Sequence, residues 1–201
     1  MNQDEIIRLF EESGALLTGH FKLTSGRHSD VYYEKFTLLK NPAICTQICK
    51  EMADRLREYK PQTIVGPTTG GIIIAYDVAR YLQIESIYAE PGEEGRIFKR
   101  GFSLDRGQKV AIVDDVLTTG RSINEVIDLV NSYGAEIVAI SEFIDRSGGK
   151  AGAAGKLEIR GGVDDPPDHR PLPLVEIVSA HLPVDNGKAF GLDLPRVPGS
   201  V

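Results

Sequence analysis

The chain has 201 residues, 41% of them hydrophobic and 26% charged, the balance of an ordinary globular protein with one substantial domain. Its 23 Lys and Arg against 29 Asp and Glu give a net charge of −6, which argues against nonspecific nucleic-acid binding. No apolar run reaches the length of a membrane span, the N-terminus M-N-Q-D-E-I-I-R has no signal-peptide pattern, and two cysteines are too few for a disulfide framework, so a reducing cytoplasm is expected.

Residues 3 to 13 carry Ile6, Leu9 and Phe10 at helical spacing and predict a short amphipathic helix stopped by Gly14. The polar run His20 to Ser29 follows, with a turn at Gly26, and Val31 to Tyr33 read as a strand. His20 and His28 belong to no H-E-x-x-H pattern and have no carboxylate cluster nearby, so they are not read as metal ligands. Pro42 to Tyr59 predicts the longest helix, with Pro42 in its first turn. On its apolar face Cys45 and Cys49 join Ile48, Met52, Ala53 and Leu56 as core thiols.

Thr63 to Val65 predict a short buried strand, Gly66-Pro67-Thr68-Thr69-Gly70-Gly71 a glycine-rich turn, and Ile72, Ala75, Ala79 and Leu82 a helix. A strand, a glycine-rich turn and a helix N-terminus together make a plausible anion site. Glu85 to Ala89 form a third strand. Residues 90 to 106 are glycine-rich and of mixed charge, a mobile surface loop or hairpin with Arg96, Lys99 and Arg100 close together.

Val110 to Ser122, V-A-I-V-D-D-V-L-T-T-G-R-S, is the most informative stretch. Four apolar residues read as a strand buried on both faces, Asp114 and Asp115 follow, and a hydroxyl-bearing turn leads into a helix near Ser122 marked by Ile123, Val126, Ile127 and Val130. The helix N-terminus suits a phosphate. The acids would repel one, and suit hydroxyls or a metal ion instead. A ligand with a phosphate at one end and a diol beside it is a ribose 5-phosphate. No Lys follows Gly120 as in a Walker A loop, and no G-x-G-x-x-G occurs. Ala135 to Ile144 predict another apolar strand, ending in Asp145-Arg146. Residues 147 to 155 read as a loop, Lys156 to Ile159 as an edge strand, 161 to 173 as a loop and Pro173 to Val178 as a last strand, with an irregular tail from Pro183.

The stretch from Val110 to Ser122 resembles the phosphoribosyl-pyrophosphate (PRPP) signature of type I phosphoribosyltransferases. Independently, G-H-F-x-L-x-S-G-x-H-S followed by Tyr32-Tyr33 resembles the N-terminal segment of orotate phosphoribosyltransferases. The resemblance runs from about His20 to Arg146. It implies an α/β fold with a mainly parallel, doubly wound sheet as a core of about residues 36–160. A small hood of about residues 1–35 is expected over it, with 161–201 as a candidate contributor.

The reaction it implies is transfer of a 5-phosphoribosyl group from PRPP to orotate with Mg²⁺, the ion held through pyrophosphate rather than by protein ligands. Implied catalytic residues are Asp114, Asp115, Lys99 and Arg100. Implied PRPP contacts are Asp114, Asp115, Val116, Leu117, Thr118, Thr119, Gly120, Arg121 and Ser122, then Thr68, Thr69, Gly70 and Gly71, with Arg96. Orotate would meet Thr118, Arg146 and Ser25, since a guanidinium pairs bidentately with a carboxylate. A homodimer with shared sites is implied, with no nucleic-acid or membrane partner. Many members carry a Lys where this chain has Thr24, another at Gly70, and an Arg-Lys pair at Glu90-Pro91; here the basic residues come later, at Lys99-Arg100. Two other readings share the central motif: transfer to another nucleobase such as a purine, and a regulator that keeps the site as a PRPP sensor. Arg146 and S-G-x-H-S favour orotate over the first. The acidic balance and the lack of a clear helix-turn-helix in the first sixty residues stand against the second.

Overall fold

Alternating apolar and amphipathic segments build a sheet covered by helices on both sides. The computed structural model describes residues 3–22, 28–117, 120–145, 156–157 and 172–176. Helix α1 (Gln3–Glu12) precedes a hairpin of β1 (Leu16–Lys22) and β2 (His28–Tyr33). After it come α2 (Lys35–Leu39) and α3 (Pro42–Leu56), a 3-10 turn at Arg57–Tyr59, β3 (Thr63–Pro67), α4 (Gly70–Leu82) and β4 (Glu85–Pro91). The remaining elements are β5 (Arg96–Ile97), β6 (Lys109–Leu117), α5 (Arg121–Ser132), β7 (Glu136–Asp145), β8 (Lys156–Leu157) and β9 (Leu172–Glu176).

The main sheet has the order β5-β4-β3-β6-β7-β9-β8. The pairs β3–β4, β3–β6, β6–β7 and β7–β9 are parallel, and the short edge strands β5 and β8 run antiparallel to their neighbours. The fold is thus the mainly parallel α/β sheet that the alternation of elements predicts. Its central strands β3 and β6 are buried on both faces. Ala111 and Val113 of β6 pack with α1, α3 and α4, while Val110 and Ile112 pack with α5. Cys45 and Cys49 are buried in the first of these cores, with sulfurs 3.9 Å apart.

Two elements depart from the expected pattern. β1 and α2 fall where the sequence pattern predicts no element, β1 overlapping the polar run only at His20 to Lys22 and α2 following the Val31 to Tyr33 strand. In β1 the register shifts between Thr18 and Phe21, and this irregularity breaks the period-2 alternation by which a strand is recognised. α2 spans five residues, too few for a helical period, and is held by burial of Leu38 and Leu39 and by the Glu34 side chain accepting from Phe36 N. The hairpin forms a separate two-stranded sheet. α1 ties it to the body, since Ile6 and Phe10 belong to the same core as α3.

Candidate active site

Successive crossovers leave β3 in opposite directions: β4 lies on one side of it and β6 on the other. Ligands of open α/β sheets bind at such a switch point, beyond the carboxyl ends of the strands. Here that place lies between the end of β3, which runs into α4, and the end of β6, which runs into α5.

The β6 side carries the acids. The strand extends to Leu117, four residues beyond the apolar run, because Asp114 and Val116 keep pairing with Glu142 and Ile144 of β7. Asp114 and Asp115 therefore sit on rigid strand rather than in the turn, only 7% and 4% exposed. Asp114 Oδ1 accepts from Asp115 N at 2.8 Å. Burial first, and the neighbouring Asp115 charge second, push the Asp114 carboxyl up to about 7. Leu117 is buried in the core on the α5 side of the sheet, and Val116 packs against the core on the other side. Gly120 has φ +75° and caps α5, a conformation that glycine adopts without strain. Arg121 reaches out to Glu125 at 2.8 Å.

The β3 side is neutral. Thr68 N donates to Ala89 O at 2.9 Å, the Thr68–Thr69 peptide is cis, and Gly70 and Gly71 open α4. A Cβ on Gly70 would overlap the Asp115 carboxylate, so the β3 turn closely approaches β6 at this residue.

Arg96 braces the two sides. Its guanidinium donates to Thr68 Oγ1 at 2.9 Å, Thr68 O at 3.3 Å, Ala89 O at 3.2 Å and Ser122 Oγ at 3.0 Å, and pairs with Glu125 at 3.4 Å. The glycine-rich segment begins as a hairpin in which Glu90 and Pro91 pair with Ile97 and Arg96. Lys99 and Arg100 are both drawn to Glu90, at 3.4 and 3.2 Å. Thr118, Thr119, Arg146 and Ser25 lie outside the described residues.

Sequence reasoning missed Lys35. Its ammonium contacts both Asp115 carboxylate oxygens, at 2.9 and 3.1 Å. The pair is 80 positions apart, and no spacing rule joins them. It also missed Glu90 as the partner of the loop cations. His20 and His28 face each other across the hairpin, Nε2 to Nδ1 at 2.5 Å.

The phosphoribosyl transferase domain family matches residues 37–153. An orotate phosphoribosyltransferase of Desulforamulus reducens is 43% identical over 158 residues, 79% of this chain and 83% of that protein. The chain belongs to this family, on its orotate phosphoribosyltransferase branch. The enzyme of the same name from Thermotoga maritima is 45% identical over 145 residues, 72% of this phosphoribosyltransferase and 78% of that one. The crystal structure of orotate phosphoribosyltransferase from Aeropyrum pernix superposes with a TM-score of 0.65 at 24% identity. It covers 86% of this chain and 92% of the other, and it supports the fold. Among the described residues of this phosphoribosyltransferase, no helix is long and apolar enough to cross a membrane.

Proposed function

We propose that this phosphoribosyltransferase joins orotate to the 5-phosphoribosyl group of PRPP, giving orotidine 5′-monophosphate and pyrophosphate in the cytoplasm. The observation that carries the reading is the buried acid pair near the end of β6, on the strand that precedes α5, with Asp115 against Gly70 of the β3 turn. The relatives named for orotate supply the base.

In the reaction the bond from the anomeric carbon to pyrophosphate breaks, and a bond forms to an orotate ring nitrogen that has already lost its proton. Positive charge develops on the ribose as the leaving group departs. Asp114 and Asp115 are set to accept from the ribose hydroxyls and to face that charge with their own. Backbone N–H groups around Gly120 and the Ser122 hydroxyl, with Thr118 and Thr119, cradle the 5-phosphate at the start of α5. Thr68 to Gly71 receive the pyrophosphate, and Lys99 and Arg100 close over it on leaving Glu90. Arg96, with four protein acceptors, aligns the two turns. Arg146 and Ser25 hold orotate, the guanidinium meeting its carboxylate. The hairpin β1–β2 serves as the hood of a single-domain enzyme.

Mg²⁺ would neutralise pyrophosphate charge. Among the described residues no three His, Cys, Asp or Glu side chains converge on a metal position. The ion would be held through the pyrophosphate oxygens rather than by protein ligands, beside the Asp114 and Asp115 carboxylates.

The exposed apolar face of Phe36, Ile73 and Tyr76 suits contact with a second copy, as a homodimer with shared sites requires. Formation of orotidine monophosphate from PRPP, orotate and Mg²⁺ tests the reading. Turnover of a purine but not of orotate would replace it with transfer to another base. Arg146→Ala should raise the Michaelis constant for orotate roughly ten- to a hundredfold and that for PRPP little.

A further inference from the structure

The acid pair has a counter-ion that does not come from the sheet. Lys35 opens α2, directly after the hairpin, and its neighbours Leu38 and Leu39 anchor that short helix in the core. Its side chain is 38% exposed, while that of Asp115 is 5% exposed. A half-exposed ion pair adds little to stability by itself, so its place is the more informative property. Among the described residues, Lys35 is the one cation in ion-pair contact with either aspartate. Asp115 Oδ2 lies in the space that a Cβ on Gly70 would fill. The carboxylate is thus held between an ammonium from the hood side and the bare backbone of the pyrophosphate turn.

We infer that Lys35 is a positioning residue for the reaction: its ammonium fixes the Asp115 carboxylate over Gly70, presenting the acid pair in place to the ribose hydroxyls. The inference rests on the phosphoribosyl transfer proposed above. It also couples the hairpin to the sugar site, because any shift of α2 moves the counter-ion. The charged groups facing the pair are Lys35 from α2 and Arg96 from β5, and both favour the ionised form of Asp114. Removing Lys35 therefore pushes the Asp114 carboxyl further up from about 7 and moves the acid limb of activity to higher pH.

The experiment compares Lys35→Met, Lys35→Gln and Lys35→Arg by three readouts. These are the ¹³C carboxylate titration of the aspartates in ligand-free protein, ribose 5-phosphate affinity by calorimetry, and Michaelis constants for both substrates. In the Met and Gln variants the Asp114 midpoint should rise by about one pH unit. Ribose 5-phosphate and PRPP should bind roughly tenfold more weakly, with the orotate constant little changed. Lys35→Arg should restore most of both. A folded Met or Gln variant with wild-type titration and wild-type ribose 5-phosphate affinity overturns the inference and leaves the proposed reaction standing. A fall in melting temperature alone, with those readouts unmoved, reduces Lys35 to a structural contact and overturns it equally. If the wild-type protein binds neither ribose 5-phosphate nor PRPP, the proposed reaction falls and this inference falls with it.

Discussion

The two strand–turn–helix units at the switch point share a backbone plan and differ in charge. In β3–α4 the strand is buried throughout, the turn is threonine and glycine, and no ionisable side chain intervenes before the helix. In β6–α5 the same plan carries two buried carboxylates near the end of its strand. A neutral turn with free N–H groups suits a leaving pyrophosphate. A strand end that holds charge out of water suits a carbon becoming positive, where charge acts more strongly than in solvent. Arg96 and the close approach of Gly70 to Asp115 hold the units in one register. The difference shows how one supersecondary unit, used twice, divides binding from charge stabilisation.

The sharpest way to break this division is to remove charge from one unit only. Asp114→Asn with Asp115→Asn should keep the fold and lower kcat by roughly 10²–10³-fold or more. Near-normal turnover in a folded double variant, measured by orotidine monophosphate formation, would take the acids out of the chemistry.

Gly70→Ala tests the contact between units. The new Cβ would overlap the Asp115 carboxylate and touch Leu39 Cδ1 at 3.1 Å, so the carboxylate must move. A misplacement of that size should reduce kcat/KM for PRPP about ten- to a hundredfold, with circular dichroism unchanged. Wild-type kinetics would mean that the site tolerates Asp115 elsewhere.

Arg96→Met tests the brace. It leaves Thr68, Ala89 and Ser122 without their shared donor and Glu125 without one of its partners. Losing such charge-assisted bonds costs about 1.5–3 kcal/mol, roughly 3–12 °C in melting temperature for a chain of this length. Affinity for PRPP should fall about tenfold, since it touches both turns. An unchanged melting temperature with lost activity would instead place Arg96 on the ligand.

Much of this comparison was legible in the sequence, because strand, acids, turn and helix follow one another locally. V-A-I-V-D-D placed the acids, and I-V-G-P-T-T-G-G placed the second turn. Strand ends were less legible. Apolar runs stop at Val65 and Val113, but backbone pairing continues to Pro67 and Leu117, since the ladder depends on neighbours and not on side-chain polarity. Least legible were contacts between distant elements. Arg96 and Lys99 look alike in a glycine-rich basic segment, yet one is 12% exposed and bound on four sides while the other is 47% exposed and held by Glu90. Gly70 looks like the loss of a lysine. Its lack of a side chain makes room for Asp115, which Lys35 meets from another element.

The smallest effect separates the two units by stability rather than rate. The Asp114 carboxyl stands at about 7 in the folded protein against an ordinary value of 3.8. Between those values the folded state keeps the proton and the unfolded state does not, so this group's contribution to stability is greatest in acid. It declines as pH rises and is fully lost above about 7. Asp114→Asn leaves a neutral group whose oxygen can still accept from Asp115 N. Its advantage should be absent near pH 4, grow through pH 5 and 6, and level off above pH 7. A gain of about 1–2 kcal/mol there, after relaxation around the buried charge, is roughly 2–8 °C in melting temperature. The same substitution should abolish most turnover, the opposition expected where a buried charge is kept for function. The neutral β3 unit has no counterpart: Thr68→Val should change stability by an amount independent of pH. A pH-independent melting shift in Asp114→Asn would show that folding does not raise the Asp114 carboxyl, and would remove the pH-dependent difference in stability between the two units.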